Sequence, residues 1–219
     1  MQPAPHNPVP PARRRARRWR RGAAALAVAL AAAVCGHSRA ETLWGASQIY
    51  STNLKNFPKW RGEMSRYREE LQSCGLPQCD KPKLSRLIES WRGLDPVRQI
   101  EAVNAEINRS PYILDIVNWG LTDYWETPFE FLRKSGDCED YATTKYWILR
   151  ALGMPAEAMQ IVVLQDLNLG IAHAVLVVRF QGRSLLLDNQ MRTVVQAETV
   201  HHYHPVYAVN EGGWWLFRS

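Results

Sequence analysis

Gly136-Asp137-Cys138-Glu139-Asp140 runs directly into a helical pattern that continues over residues 141–152. Apolar residues recur in that pattern at spacings of three and four, and Asp137 is a candidate N-cap, so Cys138 is predicted on the first turn of a helix. A helix N-terminus offers unpaired backbone N–H groups and a positive dipole end, which lower the pKa of a thiol and can hold an oxyanion. Cys138 is therefore a candidate nucleophile.

Three carboxylates beside the thiol act in the opposite direction. The charges of Asp137, Glu139 and Asp140 raise the pKa of a neighbouring thiol. Either these acids only cap and solvate the helix, or a cation neutralises them so that a thiolate can form. On position alone, Cys138 fits a buried and inert thiol equally well.

Helical periodicity comes first in the chain and strand-like alternation follows it. From Thr42 to Ser110 the sequence predicts helices broken by Pro and Gly, with Trp60, Met64, Tyr67 and Leu71 as core residues. After Pro155 it predicts strands over Gln160–Gln165, Ala172–Phe180 and Leu185–Asn189, and short ones near Val194 and Val206. This order indicates an α+β fold in which the Cys138 helix packs on an antiparallel sheet.

The clearest helix start in the first half is Asp95-Pro96. Asp95 can cap the helix and Pro96 can occupy its first turn. The apolar spacing then continues to Ile107, and residues 108–111 stop it. This half of the chain is predicted to be scaffold.

Two strands bring a histidine and an aspartate together. A hairpin through Gln181-Gly182 would place Phe180 opposite Arg183 and Val175 opposite Asp188. His173 and Asp188 then become diagonal neighbours on one face of the sheet, within reach of each other. The sequence further predicts that the Cys138 helix packs on that face.

Nucleophile, base and orienting carboxylate would thus follow in the order Cys138, His173 and Asp188. His173 would take the thiol proton and later protonate a leaving amine, while Asp188 would fix the imidazole tautomer. The backbone N–H of Cys138 is a natural oxyanion donor. Taken singly, His173 reads as a hydrogen-bonded core histidine and Asp188 as a strand-end residue.

The first 40 residues have the pattern of a secretory signal peptide. Seven arginines lie between Arg13 and Arg21, a small apolar run follows from Gly22 to Val34, and Ser38-Arg39-Ala40 offers a cleavage site. We expect export and cleavage after Ala40, by the Sec or the twin-arginine route, leaving a single domain over residues 41–219. An uncleaved N-terminal anchor is the alternative, although the apolar run is shorter than the roughly 20 residues that span a bilayer.

The charge of the whole chain is misleading. The net charge of +6 and the isoelectric point of 9.3 depend on the leader, which carries 8 of the 27 basic residues and none of the 21 acids. The mature chain has 19 basic and 21 acidic residues, a net charge of −2. A nucleic-acid partner is not predicted.

Four cysteines divide into one in the leader, one pair and one single residue. Cys35 leaves with the leader, and Cys74 and Cys79 are predicted to form a small-loop disulfide in an oxidising compartment. A metal site at that pair is less favoured, because no second pair or nearby histidine completes four ligands. Cys138 remains unpaired, and an odd cysteine in an exported protein invites a chemical explanation.

The stretch before the Cys138 helix is rich in aromatic residues. Most of these rings should pack behind the helix, and one or two could line a substrate groove. Trp125 is a candidate second oxyanion donor through its indole N–H. The set consists of Trp119, Tyr124, Trp125, Phe129 and Phe131.

Four segments carry a resemblance to a known family. They are residues 123–128 (Asp-Tyr-Trp-Glu-Thr-Pro), residues 136–142 (Gly-Asp-Cys-Glu-Asp-Tyr-Ala), His173-Ala174-Val175-Leu176 and Leu187-Asp188-Asn189. Together they resemble the bacterial transglutaminase-like cysteine proteinases. The resemblance covers most of the mature chain, roughly residues 90–214. It implies a papain-like core with Cys138, His173 and Asp188 as the triad.

The same resemblance implies calcium, a substrate and a regulator. A calcium ion would be required for activity, with Asp137 and Glu139, and Asp140 as a third candidate, among its ligands. The alternative is that these acids only cap the helix and complement its dipole. The implied activity is that of a periplasmic endopeptidase, which clips a large surface adhesin near its N-terminus and so promotes biofilm dispersal. An inner-membrane receptor for cyclic-di-GMP would hold and inhibit it.

Two other functions remain open at this point. A thioester can be resolved by an amine instead of water, which would make the protein a transglutaminase-like acyl transferase, and an amidase is equally compatible with the triad. A non-catalytic binding module of the same fold, with the triad kept for packing, belongs to a different class.

Overall fold

The computed structural model describes residues 42–73 and 81–218. The predicted signal peptide, its cleavage site, Cys35 and the pair Cys74 and Cys79 lie outside these residues. No helix within the described ranges is long and apolar enough to cross a membrane.

Six α-helices and eight strands form the main elements of the described residues, beside three short 3-10 turns. The helices are α1 (Pro58–Ser73), α2 (Lys81–Trp91), α3 (Pro96–Ile107), α4 (Asp115–Asn118), α5 (Pro128–Lys134) and α6 (Cys138–Ala151). The strands are β1 (Thr42–Leu43), β2 (Ala46–Ser51), β3 (Met159–Asp166), β4 (Ile171–Phe180), β5 (Arg183–Leu187), β6 (Val195–Gln196), β7 (Tyr203–Asn210) and β8 (Gly213–Arg218).

The strands form one antiparallel sheet in the order β1-β2-β8-β7-β3-β4-β5-β6. Helix α6 packs against β4 and β3, and α3 and α5 pack against α6. The α+β fold with a helix on an antiparallel sheet is thereby confirmed. The sequence prediction was wrong for Thr42–Ser51, which forms β1 and β2 instead of helix. Strand β2 pairs with β8, so its partner lies at the far end of the chain and leaves no local signal.

The β4–β5 hairpin has the predicted register, with Phe180 opposite Arg183 and Leu176 opposite Leu187. Its two loop residues, Gln181 and Gly182, both have positive φ angles, 51° and 73°. That backbone is the two-residue turn whose twist matches the flanking strands. The register sets the positions of His173 and Asp188.

Helix α3 begins and ends where the sequence predicts. The Asp95 carboxylate accepts hydrogen bonds from the backbone N–H groups of Val97 and Arg98, and Asn108 caps the other end. The predicted core residues Trp60, Met64 and Tyr67 of α1 are buried. Leu71 was predicted to join them, but its side chain is 41% exposed, because the outer end of α1 extends beyond the core.

Each face of the sheet has its own core. The face that carries α6 has Leu176 and Val178 of β4 packed with helix residues such as Ile148 and Leu149. The opposite face has Val175 and Val177 of β4, packed with Leu43, Val200 and Tyr203 among others. The alternation of side chains along β4 produces this division.

Candidate active site

Cys138 is the first residue of α6, in a turn that its neighbours fix. The Asp140 carboxylate accepts hydrogen bonds from the backbone N–H groups of Asp137, at 3.0 Å, and of Glu126, at 2.7 Å. A Cβ atom at position 136 would collide with that carboxylate, so the turn requires Gly136. These contacts explain why Gly136 precedes the cysteine and Asp140 follows it.

The thiol is half-buried and lies in a negatively charged setting. Its Sγ donates to Oε2 of Glu139 at 3.3 Å. Burial raises the pKa of Cys138 well above its usual value, and the charges of Glu139 and Asp137 raise it further, whereas a hydrogen bond from the backbone N–H of Ala174 lowers it. The sequence implied that the helix start lowers the pKa of the thiol and that the neighbouring acids raise it. Both influences are present in the structure.

His173 and Asp188 form a buried pair. Nε2 of His173 lies 3.0 Å from Oδ1 of Asp188, and their side chains are 3% and 0% exposed. The Tyr203 hydroxyl donates to Oδ2 of Asp188 at 2.6 Å, and the backbone N–H of Gln190 donates to Oδ1 at 2.9 Å. Burial alone would raise the pKa of Asp188, but the His173 interaction and these two donors hold it below its usual value.

The helix does not pack on the face that the sequence predicted. Cys138 was expected above the face that carries His173 and Asp188. Helix α6 instead packs on the Leu176 face, while Asp188 bonds to Tyr203, which belongs to the opposite core. The thiol reaches the site because the first turn of α6 lies against the backbone of Ala174, the residue after His173.

Cys138 and His173 line one open cleft. Tyr112, Trp125 and Tyr207 also line it. Phe129 and Phe131 are buried in the core behind α6, as predicted for most of the aromatic residues. The indole of Trp125 as an oxyanion donor stays a prediction.

Five buried carboxylates converge beside the thiol. Two of them, Asp115 and Glu126, were not among the metal ligands proposed from sequence. Groups that could share an ion are formed by Asp115, Glu126 and Asp140, by Asp115, Asp123 and Glu139, and by Asp137, Cys138 and Glu139. Asp115 precedes the Cys138 segment by several turns of chain, and only the fold brings its carboxylate into this cluster.

Burial penalises these acids when they are charged. It raises the pKa of Asp115 to about 6, that of Glu126 to about 7 and that of Glu139 to about 9, and like charges nearby add to each shift. One oxygen of Asp115, of Glu126 and of Asp137 is buried without a hydrogen-bond donor among the described residues. Such oxygens suit a hard divalent cation, which takes oxygen ligands and cancels their repulsion.

The Asp140 carboxylate differs from the others, because both of its oxygens already accept backbone hydrogen bonds. It therefore shapes the turn whether or not it also binds a cation. The arrangement as a whole offers a thiol at a helix start, a carboxylate-oriented imidazole and a cluster of oxygen ligands. It suits attack by sulfur on a carbonyl carbon.

Residues 68–216 match the family model described as bacterial transglutaminase-like cysteine proteinase. The search of the curated proteins gave no match. Among solved structures, LapG of Legionella pneumophila is 34% identical, with a TM-score of 0.56, over 61% of this chain and 76% of that one. The calcium-bound form of the same protein is 31% identical, with a TM-score of 0.58, over 69% and 86% of the two chains.

The family match spans more than half of the chain, and the solved relatives share its fold. The predicted papain-like and transglutaminase-like fold and the predicted enzyme class are thus confirmed. The chain belongs to the bacterial transglutaminase-like cysteine proteinases and is a cysteine protease.

Proposed function

We propose that this protein is an exported endopeptidase that uses Cys138, His173 and Asp188 as a catalytic triad. The observation that supports it most directly is the buried 3.0 Å contact between Nε2 of His173 and Oδ1 of Asp188. Cys138 and His173 line the same cleft. A carboxylate bound to Nε2 leaves Nδ1 as the ring nitrogen that exchanges a proton with sulfur.

The chemistry follows from that assignment. His173 takes the proton of Cys138, and the sulfur attacks the carbonyl carbon of a peptide bond. The backbone N–H of Cys138 stabilises the developing oxyanion. Collapse forms a thioester while His173 protonates the leaving amine, and water, activated by the same imidazole, then releases the acid.

The acidic cluster is the proposed calcium site. Asp137 and Glu139, with Asp115, Glu126 and Asp140 as further candidates, would hold the ion. Bound calcium supplies positive charge that offsets the repulsion of a thiolate by these acids. Glu139 accepts a hydrogen bond from the Cys138 thiol in the structure, and as a calcium ligand its carboxylate would face the ion instead. Structures of Legionella pneumophila LapG in calcium-bound and EGTA-treated forms support calcium as the ion.

The proposal extends to a substrate, a location and a regulator, which follow only the resemblance of the sequence to the family. The substrate would be a large surface adhesin, cut near its N-terminus in the periplasm to promote biofilm dispersal. An inner-membrane receptor for cyclic-di-GMP would bind the protease and restrain it.

The test is incubation with a recombinant N-terminal segment of a large surface adhesin from the same organism, with calcium in excess. The proposal expects one defined cleavage, no cleavage by Cys138→Ala and none after chelation. A labelled primary amine added to the reaction separates hydrolysis from acyl transfer. Incorporation of the amine into the adhesin without chain cleavage would overturn the endopeptidase assignment.

A further inference from the structure

Tyr203, the first residue of β7, contacts the proposed triad in a way that the chemistry above does not use. Its hydroxyl donates to Oδ2 of Asp188 at 2.6 Å. The other oxygen, Oδ1, lies 3.0 Å from Nε2 of His173 and accepts a hydrogen bond from the backbone N–H of Gln190 at 2.9 Å. The Tyr203 hydroxyl therefore binds the carboxylate oxygen that His173 and Gln190 leave free.

Burial makes this hydrogen bond consequential. The side chains of Asp188 and Tyr203 are 0% and 4% exposed, so water cannot readily replace a lost donor at Oδ2. A buried anionic oxygen without a donor is costly, and the carboxylate would turn or take up a proton to avoid that cost. Either change weakens the contact between Oδ1 and the His173 ring. That contact fixes which ring nitrogen carries the proton.

Other aromatic rings hold the ring of Tyr203 in place. The centre of the His173 ring lies 5.9 Å from it, and that of the His202 ring lies 4.6 Å from it. Trp44, in the turn between β1 and β2, meets it edge to face at 6.0 Å between ring centres and 75° between ring planes. A ring packed on several sides presents its hydroxyl in a fixed direction.

We propose that Tyr203 is a positioning residue, whose hydroxyl holds the Asp188 carboxylate in the orientation that His173 requires. Tyr203 belongs to the core on the sheet face opposite α6, so it acts through Asp188 and not on the substrate. Trp44 supports Tyr203 in turn, which links the β1–β2 hairpin to the site. Networks of this kind, in which a tyrosine, a carboxylate and an imidazole are joined, are apportioned by double-mutant cycles. The inference rests on the proposed triad.

The test is a double-mutant cycle of Tyr203→Phe and Asp188→Ala. Phenylalanine keeps the ring and removes only the hydroxyl, and alanine leaves no carboxylate for that hydroxyl to hold. The first readout is the rate at which iodoacetamide alkylates Cys138 with calcium in excess, followed by mass spectrometry of the Cys138 peptide. The second is kcat and KM for adhesin cleavage. Tyr146→Phe is the matched control, because Tyr146 is also buried and its hydroxyl accepts a hydrogen bond from the backbone N–H of Glu211, in the β7–β8 turn.

We expect Tyr203→Phe to slow alkylation about tenfold and to lower kcat by a similar factor, with KM within about twofold of the native value. A role in packing alone would not lower kcat and spare KM. In the Asp188→Ala background, Tyr203→Phe should change the alkylation rate by less than about twofold, because the hydroxyl acts through that carboxylate. Equal rates for Tyr203→Phe and Tyr146→Phe, or the same loss in both backgrounds, would overturn the inference.

Two further variants keep the outcome clear. If Tyr203→Phe does not fold, Trp44→Leu replaces it, because that change keeps the hydroxyl and removes a ring that packs on Tyr203. Trp44→Leu should slow alkylation at least about threefold, and a native rate would overturn the inference. His173→Ala separates the inference from the triad. If His173→Ala is alkylated as fast as the native protein, the triad assignment fails, whereas slow alkylation of that variant beside a fast Tyr203→Phe refutes only the role of Tyr203.

Discussion

The two ends of helix α6 each contribute buried side chains, but these side chains meet opposite surroundings. The first turn carries Cys138, Glu139 and Asp140 among further carboxylates, and burial disfavours the charged form of each. The last turns carry Ile148 and Leu149, which are fully buried in an apolar core. The first end therefore costs stability and carries the proposed nucleophile, while the other end supplies the stability that tolerates it.

The largest effect is expected at the end of α6 that carries Cys138. Cys138→Ala should lower adhesin cleavage at least about 10³-fold, because no other group replaces the sulfur nucleophile. The melting temperature with calcium should stay within the error of the native value, since alanine fills the same helix position. A variant that still cleaves at the native rate would exclude Cys138 as the nucleophile.

Asp188→Asn should be the next most damaging change. The amide no longer compels the imidazole to keep its proton on Nε2, and the corresponding change in serine proteases costs about 10⁴-fold, so we expect a loss of about 10²- to 10⁴-fold in kcat. Gln190→Ala is the control, because Gln190 contacts Asp188 through its backbone N–H, which alanine retains. Similar kcat values for the two variants would argue against an orienting role for Asp188.

Truncation of a buried side chain at the apolar end of α6 should lower the free energy of unfolding without lowering kcat. Ile148→Ala should lower the free energy of unfolding by about 2–5 kcal/mol, as for other buried aliphatic side chains. Denaturant titration measures it, and Val117→Ala, at a side chain 73% exposed, should change little. If Ile148→Ala also lost most of its kcat at a temperature where it is folded, the assignment of chemistry to one end of α6 and of stability to the other would be wrong.

The smallest effect is expected at Glu126. Burial raises the pKa of this acid to about 7, so without a cation the native state binds more protons than the unfolded state between about pH 4.5 and 7. Stability of the chelated protein should therefore fall as pH rises through that window. Glu126→Gln should remove part of the fall and gain on the order of 1 kcal/mol at pH 7 in chelator.

With calcium in excess, the same substitution should give no gain or a loss, because it removes a candidate ligand. Melting curves of the native protein and of Glu126→Gln, each with calcium and with chelator, measure both effects. A gain of the same size under both conditions would exclude Glu126 from the cation site.

Local pattern was sufficient for several features. The start of α3 at Asp95-Pro96 and the β4–β5 register were predictable because capping and two-residue turns depend on neighbouring residues. That register alone brought His173 within reach of Asp188. The order of nucleophile, base and orienting carboxylate was predictable from residue types and register, whereas the papain-like architecture came from family resemblance.

Features that depend on distant contacts were not predictable. Strand β2 forms because β8 offers an edge more than 160 residues later, and a local pattern in the sequence does not reveal so distant a partner. Asp115 joins the acidic cluster only after the fold is complete. The prediction of the sheet face on which α6 packs was wrong. Cys138 reaches the site from the end of the helix, so the helix need not lie on the face that carries His173 and Asp188.

The central claim is that the buried acids suppress the thiolate of Cys138 until a cation offsets their charge. The most direct measurement is the rate of iodoacetamide alkylation at Cys138, followed by mass spectrometry at one pH with calcium and after exhaustive chelation. The predicted result is faster alkylation with calcium than after chelation, and no such difference between the two rates in Glu139→Gln. Equal rates under both conditions in the native protein would contradict it.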